Sequence, residues 1–468
     1  MKRTLIFGIL LNIIIVGSAL ADWSMFQSNS AHTGKVNVLA SQTDNLEWSL
    51  DLRVDISPYG GPSIGNFTAP QQIIIGADDG VYIINSNGIL SEYILTSAPI
   101  QTVIAIINHT IYFGAGDTLY AYQDTGLYWS YELNGDISHV TIYQDTVYVC
   151  DEDRLYSFSL AGDLHWMSAD LSGSIIYAAP AVDASNNIYV VSSQALWRDY
   201  NLYAYYPNGN LLWQYDYLGF EANGVQMTPT LDDSGNVYIA TYWTPVWSSS
   251  IQSLQDGDRN WTRDSETLHS SPAIGSDNTL YYGVNDGLEA RHTNGNLVWI
   301  YYTDAIKYSS PAIGADTTIY VGTETGLFLA ITSSGTLKWS ANISSNPLSS
   351  PAITSSGTIY VTAGQTLFAF TDTNTNIDPG HIKKRPTNVS ISPNPFNSTA
   401  IINYYLPSDA LIQIKLYDVL GRLQKNLVNQ YQTIGQHQVH LSGLASGVYF
   451  VRIQSDNYFV TKKAIVIK

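Results

Sequence analysis

Residues 271–299 read SPAIGSDNTLYYGVNDGLEARHTNGNLVW, and this stretch contains the pattern that decides the fold. Four short apolar segments follow one another: Pro-Ala-Ile, Leu-Tyr-Tyr, Leu-Glu-Ala and Leu-Val-Trp. They are separated by residues rich in Gly, Asn and Asp, which tight turns favour. The pattern predicts four short β-strands joined by turns.

The same unit recurs along the chain. Tryptophans recur at intervals of roughly 37 to 48 residues, with Tyr93 standing in the one wider gap, and five prolines each precede a tyrosine by nine residues. The tryptophans are Trp48, Trp129, Trp166, Trp213, Trp261, Trp299 and Trp339. The proline and tyrosine pairs are Pro180 and Tyr189, Pro229 and Tyr238, Pro272 and Tyr281, Pro311 and Tyr320, and Pro351 and Tyr360. Four strands in a period near 40 residues are typical of a β-propeller blade.

Counting these units predicts an all-β chain with an eight-bladed propeller. Seven units end at Tyr93 or at a later tryptophan, and an eighth, residues 340–370, lacks its fourth strand. The segment Leu46-Glu47-Trp48 precedes the first complete unit, so we expect it to pair with the last blade and close the ring. We expect the indole rings to fill the wedge between neighbouring blades.

Composition excludes several classes of protein. The 468 residues include 21 basic and 39 acidic ones, for a formal net charge of -18, which argues against a nucleic-acid partner. Hydrophobic residues make up 45% of the chain, too many for a disordered acidic protein. The single cysteine, Cys150, excludes an intramolecular disulfide and a thiol-based metal cluster.

The N-terminus has the features of a signal peptide. Residues 1–3 are positively charged, residues 5–16 are largely apolar, and Ala19 and Ala21 form a small-residue cleavage site, so we expect residues 1–21 to be removed. A membrane anchor is the alternative, but the apolar run is shorter than the ~20 residues that a spanning helix needs. We therefore expect the mature chain to begin at Asp22 and to lack a membrane span.

Charge divides the mature chain into two domains. Residues 22–380 contain 36 acidic and 9 basic residues, whereas residues 381–468 contain 3 acidic and 10 basic ones. A polar stretch without apolar periodicity, residues 371–386, lies where the charge changes from acidic to basic. We predict a propeller at 22–370, a linker at 371–387 and a second domain at 388–468.

The repeats resemble those of the PQQ-like propeller family. The resemblance rests on Asp22-Trp23-Ser24-Met25-Phe26, on Ala31-His32-Thr33-Gly34, and on the repeated Pro-Ala-Ile, Ile-Tyr-Val-Gly and Gly-x-Leu-x-Trp segments. That family includes quinoprotein alcohol dehydrogenases and a noncatalytic outer-membrane assembly lipoprotein. The resemblance implies a propeller over residues 22–370, because the repeat encodes blade packing.

Enzymatic function is an alternative that the residues do not favour. Family dehydrogenases hold pyrroloquinoline quinone beneath a vicinal disulfide, with calcium and a catalytic aspartate, but Cys150 is alone and is expected to be a buried, inert thiol. The cofactor's carboxylates also need cationic partners, and only 9 basic residues lie in residues 22–380. We therefore predict no cofactor and no catalysis.

Other motifs have structural interpretations. Gly61-Pro62-Ser63-Ile64-Gly65 matches a nucleophile elbow, but Pro62 occupies the proline position of the first blade, so a strand is expected. His437 and His440 are three apart in a predicted strand and should face opposite sides. Acidic segments at 78–80, 151–153 and 232–235 could bind calcium, although hairpin turns use the same residues.

A ligand surface is predicted on one face of the propeller. In two adjacent blades the second and third strands are separated by insertions rich in aromatic residues. Arg198 lies in the first insertion and Tyr242 in the second. The links between blades bring further side chains, Tyr59 among them, to the same face. The residues predicted to bind ligand are Tyr177, Trp197, Tyr200, Gln226, Trp243, Trp247, His269 and Tyr308. Aromatic rings and amides suit a glycan or a peptide, unless the inserted tryptophans fold back onto the rim.

The C-terminal 80 residues predict a small immunoglobulin-like β-sandwich. Their motifs closely resemble the type A C-terminal sorting domain of type IX secretion, which implies recognition by the outer-membrane translocon and removal by its sortase. The motif residues are Pro393, Asn394, Pro395, Tyr417, Asp418, Gly421, Arg422, Gly447, Tyr449 and Lys463. An accessory binding module is the alternative.

Together these features predict a secreted or surface-attached, noncatalytic binding protein. Its predicted partners are the type IX translocon, the sortase and a glycan or peptide. The alternatives are a quinoprotein dehydrogenase and a scaffold for envelope proteins.

Overall fold

In the computed structural model, the described residues are 23–69, 71–171, 178–193, 200–216, 227–243, 248–265, 270–372, 387–406, 410–419, 422–433, 435–455 and 458–467. Every regular element in these ranges is a β-strand. A search of the same ranges for a helix able to cross a bilayer finds none. The chain forms two compact units.

Eight four-stranded antiparallel sheets lie in the described part of residues 46–370. Each strand pairs with the next along the chain, except in the eighth sheet, whose order is β1-β32-β31-β30. The strands of the first four sheets are β2 Ser63–Gly65, β3 Gln72–Ala77, β4 Gly80–Ile84 and β5 Leu90–Leu95; β6 Ala105–Ile107, β7 Thr110–Ala115, β8 Thr118–Gln123 and β9 Gly126–Glu132; β10 Thr141–Tyr143, β11 Thr146–Cys150, β12 Leu155–Ser159 and β13 Leu164–Met167; and β14 Ala181–Val182, β15 Ile188–Ser193, β16 Tyr200–Tyr205 and β17 Leu211–Tyr215.

The remaining four sheets have the same antiparallel order. Their strands are β18 Thr230–Leu231, β19 Val237–Trp243, β20 Ser248–Gln255 and β21 Asp258–Ser265; β22 Ala273–Ile274, β23 Thr279–Val284, β24 Gly287–His292 and β25 Leu297–Tyr302; β26 Ala312–Ile313, β27 Ile319–Gly322, β28 Leu327–Ile331 and β29 Leu337–Asn342; and β30 Ala352–Ile353, β31 Ile359–Ala363, β32 Thr366–Phe370 and β1 Leu46–Asp51. Strand β1 pairs with β32, with Leu46 opposite Phe370 and Asp51 opposite Thr366. The predicted pairing of the N-terminal strand with the last unit is therefore confirmed.

The sheets are arranged like propeller blades. The short first strands of several neighbouring sheets contact one another, as β14 does with β18 and β22 with β26. Strand β2 contacts both β6 and β30, so the last sheet lies beside the first. The second strands β3, β7 and β23 are wholly buried, whereas the fourth strand β9 is mostly exposed. Burial therefore decreases from the first two strands of a sheet to the fourth.

The repeated tryptophans pack between sheets, as predicted. Trp166 lies against Gly209 in the last turn of the next sheet, where a Cβ would come within 2.6 Å of the indole. Its indole N–H donates to the carbonyl of Pro207 in the same turn, at 2.9 Å. The matching indole bonds join Trp129 to Leu160, Trp261 to Thr293 and Trp299 to Ser333. Each ring thus spans the wedge between two twisted sheets.

The C-terminal unit consists of two antiparallel sheets around one core. The strands are β33 Thr387–Ser392, β34 Thr399–Leu406, β35 Ala410–Asp418, β36 Leu423–Gln432, β37 Gly435–Ser442, β38 Gly447–Ser455 and β39 Tyr458–Val466. Their orders are β33-β34-β37 and β36-β35-β38-β39. Ile402 of the first sheet and Leu416 and Ile453 of the second are fully buried in this core. His437 packs against the ring of Tyr404, whereas His440 is exposed, so the two histidines face opposite sides as predicted.

Candidate functional site

Residues 23–41 form a segment, called the strap, that runs across the first strands of the propeller. Its backbone bonds to six sheets in succession: the first, second, fourth, fifth, sixth and seventh. The amides of Ile106, Val182, Leu231, Ile274 and Ile313 donate to strap carbonyls at 2.7–2.9 Å, and Trp23 exchanges two bonds with Ile64. These partners all lie near the ends of first strands, so the strap closes that end of the axial space.

The middle of the strap fills the axis. The ring of Phe26 is buried with Val103 and Ala179, which belong to the links entering the second and fourth sheets. It also stacks on His139 of the third sheet's link, with ring centroids 4.8 Å apart. On the other side, the Gln27 amide donates to the carbonyl of Pro272. Contacts to the second, third, fourth and sixth sheets place these side chains between the blades' inner edges.

His32 joins the strap to two further positions. Its Nδ1 lies 2.9 Å from the carbonyl of Phe26, and its Nε2 lies 3.0 Å from the carbonyl of Pro180 and 3.4 Å from Oγ1 of Thr141. The side chain is fully buried, and burial lowers the pKa of its imidazole although both carbonyl bonds oppose this. His32 therefore connects the strap to the third and fourth sheets and favours the neutral form.

A second set of bonds ties neighbouring sheets together. In four consecutive sheets, a serine or threonine stands directly before the proline that precedes the first strand. Its hydroxyl accepts a hydrogen bond from the backbone amide of the equivalent residue in the preceding sheet. The bonds run from Ala179 to Thr228, from Thr228 to Ser271, from Ser271 to Ser310 and from Ser310 to Ser350, at 2.9–3.1 Å. Each hydroxyl satisfies a buried backbone donor and joins two sheets near the axis.

The face opposite the strap carries the links between sheets and the turns between second and third strands; we call it the link face. Tyr59 and Tyr308, from the links entering the first and seventh sheets, meet there edge to face, with ring centroids 5.2 Å apart. Both rings are partly exposed. Two residues from separate links are therefore brought together on the predicted ligand face. We call the opening of the axis on this face the axial mouth.

Most of the predicted ligand residues lie outside the described part of the chain. Tyr177, Trp197, Gln226, Trp247 and His269 are in this group. The backbones of Tyr200 and Trp243 lie on strands and pair with Ser193 and Ser248, at the points where the two predicted insertions leave their sheets. Of the predicted set, Tyr308 alone has a described side chain.

The acidic turns have structural partners. Asp232 accepts bonds from the amides of Ser234 and Asn236, from the Asn236 side chain and from the hydroxyl of Tyr238. Asp151 is buried and accepts the amides of three neighbouring residues and the Tyr156 hydroxyl. Among the described residues, no group of three or more His, Cys, Asp or Glu side chains could hold a metal ion. The Asp232 and Asp151 carboxylates are therefore engaged by turn donors.

Two further candidate groups are buried. Burial and the neighbouring carboxylate of Asp151 raise the pKa of the Cys150 thiol well above its usual value, so the thiol is protonated. Ser63 lies in strand β2, is fully buried and donates its hydroxyl to the carbonyl of Ile104. Strand β2 leads to strand β3, which confirms that the Gly-Pro-Ser-Ile-Gly segment is not a nucleophile elbow.

Several sorting-motif residues are engaged in contacts within the C-terminal unit. The side-chain Nδ2 of Asn394 donates to the backbone carbonyl of Lys463, and its Oδ1 accepts the backbone N–H of Ile465, both at 2.8 Å. The Asp418 carboxylate accepts the backbone amide and the guanidinium of Arg422, at 3.0 and 2.8 Å. The Tyr449 hydroxyl donates to the carbonyl of Ala445.

These contacts account for the positions of the motif. Pro393 and Pro395 flank Asn394, whose bonds to Lys463 and Ile465 hold the entry segment beside the last strand. Gly447 begins β38 with φ of 159°, and Tyr417 lies in β35 opposite Phe450. Gly421 lies outside the described residues.

Comparison with known families agrees with both parts of the chain. The family described as outer membrane protein assembly factor BamB matches residues 32–301 and 289–378. The chain belongs to this family. The family described as the secretion system C-terminal sorting domain matches residues 390–468. The protein is therefore secreted or located at the cell surface. No curated protein matches the sequence.

Solved structures show the same fold as this BamB-family chain. BamB from Moraxella catarrhalis is 17% identical, with 69% of this chain and 98% of that chain covered and a TM-score of 0.52. A europium-containing methanol dehydrogenase is 12% identical, with coverage of 74% and 90% and a TM-score of 0.55. Quinohemoprotein alcohol dehydrogenase from Comamonas testosteroni is 11% identical, with coverage of 75% and 80% and a TM-score of 0.56. At these identities the likeness establishes a propeller fold and nothing about activity.

Sequence reasoning missed the strap. The segment at 23–41 contributed to the family resemblance, but most of its bonds to the sheets are backbone bonds, which leave no pattern of side chains. The apolar residues Trp23, Met25 and Phe26, all buried, were a usable signal in a segment with no predicted strand.

Proposed function

We propose that this protein is a noncatalytic binding module, exported by type IX secretion, that takes a peptide or glycan at the link face of its propeller. The strap is the observation that supports this most strongly. It fills the axis and covers the first-strand ends, so a ligand would reach the axial mouth from the link face alone. Tyr59 and Tyr308 offer aromatic faces at that mouth.

The proposal includes a finer architecture. The eight sheets form a closed, eight-bladed propeller over residues 22–370, a linker follows at 371–387, and residues 388–468 form an immunoglobulin-like sorting domain. Contacts of β2 with both β6 and β30 support ring closure. The signal peptide at 1–21 and removal of the sorting domain after export belong to the same proposal.

Aromatic replacement tests the binding site. Replacing Tyr59 and Tyr308 with Ala in the mature full-length protein is expected to abolish retention on glycan and peptide arrays, because both stacking faces are lost. Replacing Trp243 and Trp247 tests the inserted loops in the same way. His109, on a turn at the strap face, is the matched control, and its replacement with Ala should leave retention unchanged. Full retention by the Tyr59 and Tyr308 variant would remove this mouth as the site.

A scaffold for envelope proteins is a second candidate. It is supported by the family match to an outer membrane assembly factor over residues 32–378. Affinity purification of the protein from its own envelope distinguishes the two: a scaffold co-purifies with defined proteins in constant ratio, whereas a glycan receptor does not.

A further inference from the structure

A cavity of about 170 Å³ lies on the link face beside the axial mouth. The links entering the second and third sheets form its sides, with apolar atoms from Ala98, Pro99 and Ile137. Gly114 and Gly116, at the end of β7, form its floor. A Cβ at Gly116 would lie 3.2 Å from that of Ala98, so these small residues keep the space open.

The polar groups of the cavity are at its rim. Gln101 and Asp136 line it, and the Asp136 side chain is exposed. Within the described residues, no hydrogen bond or ion pair engages the Asp136 carboxylate. The side chain of Glu152 lies directly against the neighbouring Gly135, which places a second carboxylate close to the rim. Among the described residues that line the cavity, none is basic.

One lining residue of the cavity, Gln101, lies near the tyrosine pair. Gln101 lies against Gly60, since a Cβ at Gly60 would be 3.6 Å from the Gln101 backbone. Gly60 follows Tyr59, whose ring meets Tyr308. A ligand lying on the two tyrosines could therefore extend a side chain over Gly60 into the cavity.

A cavity lined in part by apolar atoms, with a carboxylate among its lining residues, fits an aliphatic chain that ends in a cation. Lysine and arginine bury their methylene stems against apolar surfaces and hold the charged group at the polar edge. A charge-assisted contact to Asp136 would supply both affinity and selectivity. A neutral sugar would leave that carboxylate unpaired.

We propose that this cavity is a subsite for a lysine or arginine side chain, so that the ligand of the link face is a cationic peptide. This inference rests on the proposed function and narrows it from peptide or glycan to one class of peptide.

Matched peptides test the subsite in the mature full-length protein. The probes are fluorescent seven-residue peptides of Gly and Ser with Lys, Arg, norleucine or Glu at the centre, followed by fluorescence anisotropy. We expect the Lys and Arg peptides to bind about two- to fivefold more tightly than the norleucine and Glu peptides, because only the cations pair with Asp136 and that carboxylate is exposed to solvent.

Two variants should alter peptide binding by different routes. Asp136→Asn removes the charge and should bring the Lys peptide to the affinity of the norleucine peptide. Ala98→Leu fills the cavity and should weaken both. Asp124→Asn is the control, because Asp124 is an exposed carboxylate in a turn of the same sheet on the opposite face. Its affinities should match those of the native protein.

The outcomes separate this inference from the proposed function. An unchanged preference for Lys in Asp136→Asn, or unchanged affinity for both peptides in Ala98→Leu, overturns the subsite. If peptide binding is nevertheless lost when Tyr59 and Tyr308 are replaced, the link face still binds ligand and the proposed function stands. If none of the four peptides binds and the arrays retain nothing, the proposed function fails together with the subsite.

Discussion

The Nε2 atom of His32 lies 3.0 Å from the carbonyl oxygen of Pro180, a residue 148 positions further along the chain. This contact belongs to the strap, which closes one end of the propeller axis with residues that precede the first blade. The strap and β1 both come from the N-terminal part of the chain, and both contact sheets formed by distant residues. The N-terminal segment therefore helps to hold the propeller together and also determines which face is open.

Removing the His32 ring should destabilise the propeller. His32→Ala leaves a cavity and removes the ring N–H that donates to one of two buried carbonyls, that of Phe26 or that of Pro180, which costs about 1–3 kcal/mol. Urea unfolding followed by tryptophan fluorescence measures this, because all 11 tryptophans lie within residues 23–339. The control is His109→Ala, at an exposed histidine that also has positive φ and one carbonyl bond. Equal losses in the two variants would show that the buried position of His32 contributes nothing.

His32 should make the folded protein less stable as the pH falls. Burial lowers its pKa in the folded state below 6.5, so the unfolded chain binds this proton more tightly. The free energy of unfolding should therefore decrease as the pH falls below about 6.5. His32→Asn should show a smaller decrease between pH 7.5 and 5.5.

The native protein must be compared with His32→Asn because some carboxyl groups change the free energy of unfolding in the opposite direction as the pH falls. Burial raises the pKa values of Asp78, Asp79 and Asp153, so these carboxyl groups favour the folded state as they become protonated. Both proteins contain them, and their effect cancels in the difference. Parallel pH profiles for the native protein and His32→Asn would contradict a neutral, buried His32.

Two turn glycines with equal backbone angles can separate indole packing from backbone strain. Gly209 and Gly235 both have φ of 83°. A Cβ at Gly209 would lie 2.6 Å from the Trp166 ring, whereas a Cβ at Gly235 meets its first neighbour at 3.9 Å. Gly235→Ala should cost about 1–2 kcal/mol for the left-handed conformation alone, and Gly209→Ala about 1–3 kcal/mol more for overpacking. Equal costs in urea unfolding would argue against the wedge role of Trp166.

Loss of the Asn394 side chain should impair export. Asn394→Ala removes the bonds to the Lys463 carbonyl and the Ile465 amide, which hold the entry segment against β39. We expect the variant to accumulate in the periplasm and to decrease at the surface, as measured by immunoblotting of cell fractions. Asn429→Ala, at an exposed position in β36, is the control and should be exported normally. Normal export of Asn394→Ala would show that these bonds are dispensable.

Much of the propeller could be predicted from the sequence because each unit repeats local signals. Turn residues, the nine-residue step from proline to tyrosine and the closing tryptophan all lie within one unit, so strand order and the pairing of β1 with β32 followed from counting.

The strap and the cavity could not be predicted in this way. The amide of Ile274 donates to the carbonyl of Thr33, and such a bond depends on a path through space that neither residue type indicates. Likewise, Asp136 and Ala98 come from different links, and only the folded chain shows that they share a cavity. Serine before proline was visible at Ser271 and Ser310, but its role as acceptor for the preceding sheet required the structure.

The central claim is that the strap seals the axis by bonding to the sheets. Hydrogen exchange of the amides of Ile106, Val182, Leu231, Ile274 and Ile313 tests it most directly, because each donates to a strap carbonyl. We predict that these five amides exchange only through global unfolding of the propeller, and that His32→Ala accelerates them more than the amides in β7 or β23. Rapid exchange of these amides in the native protein, while β7 and β23 remain protected, would contradict the sealed axis and the assignment of binding to the link face.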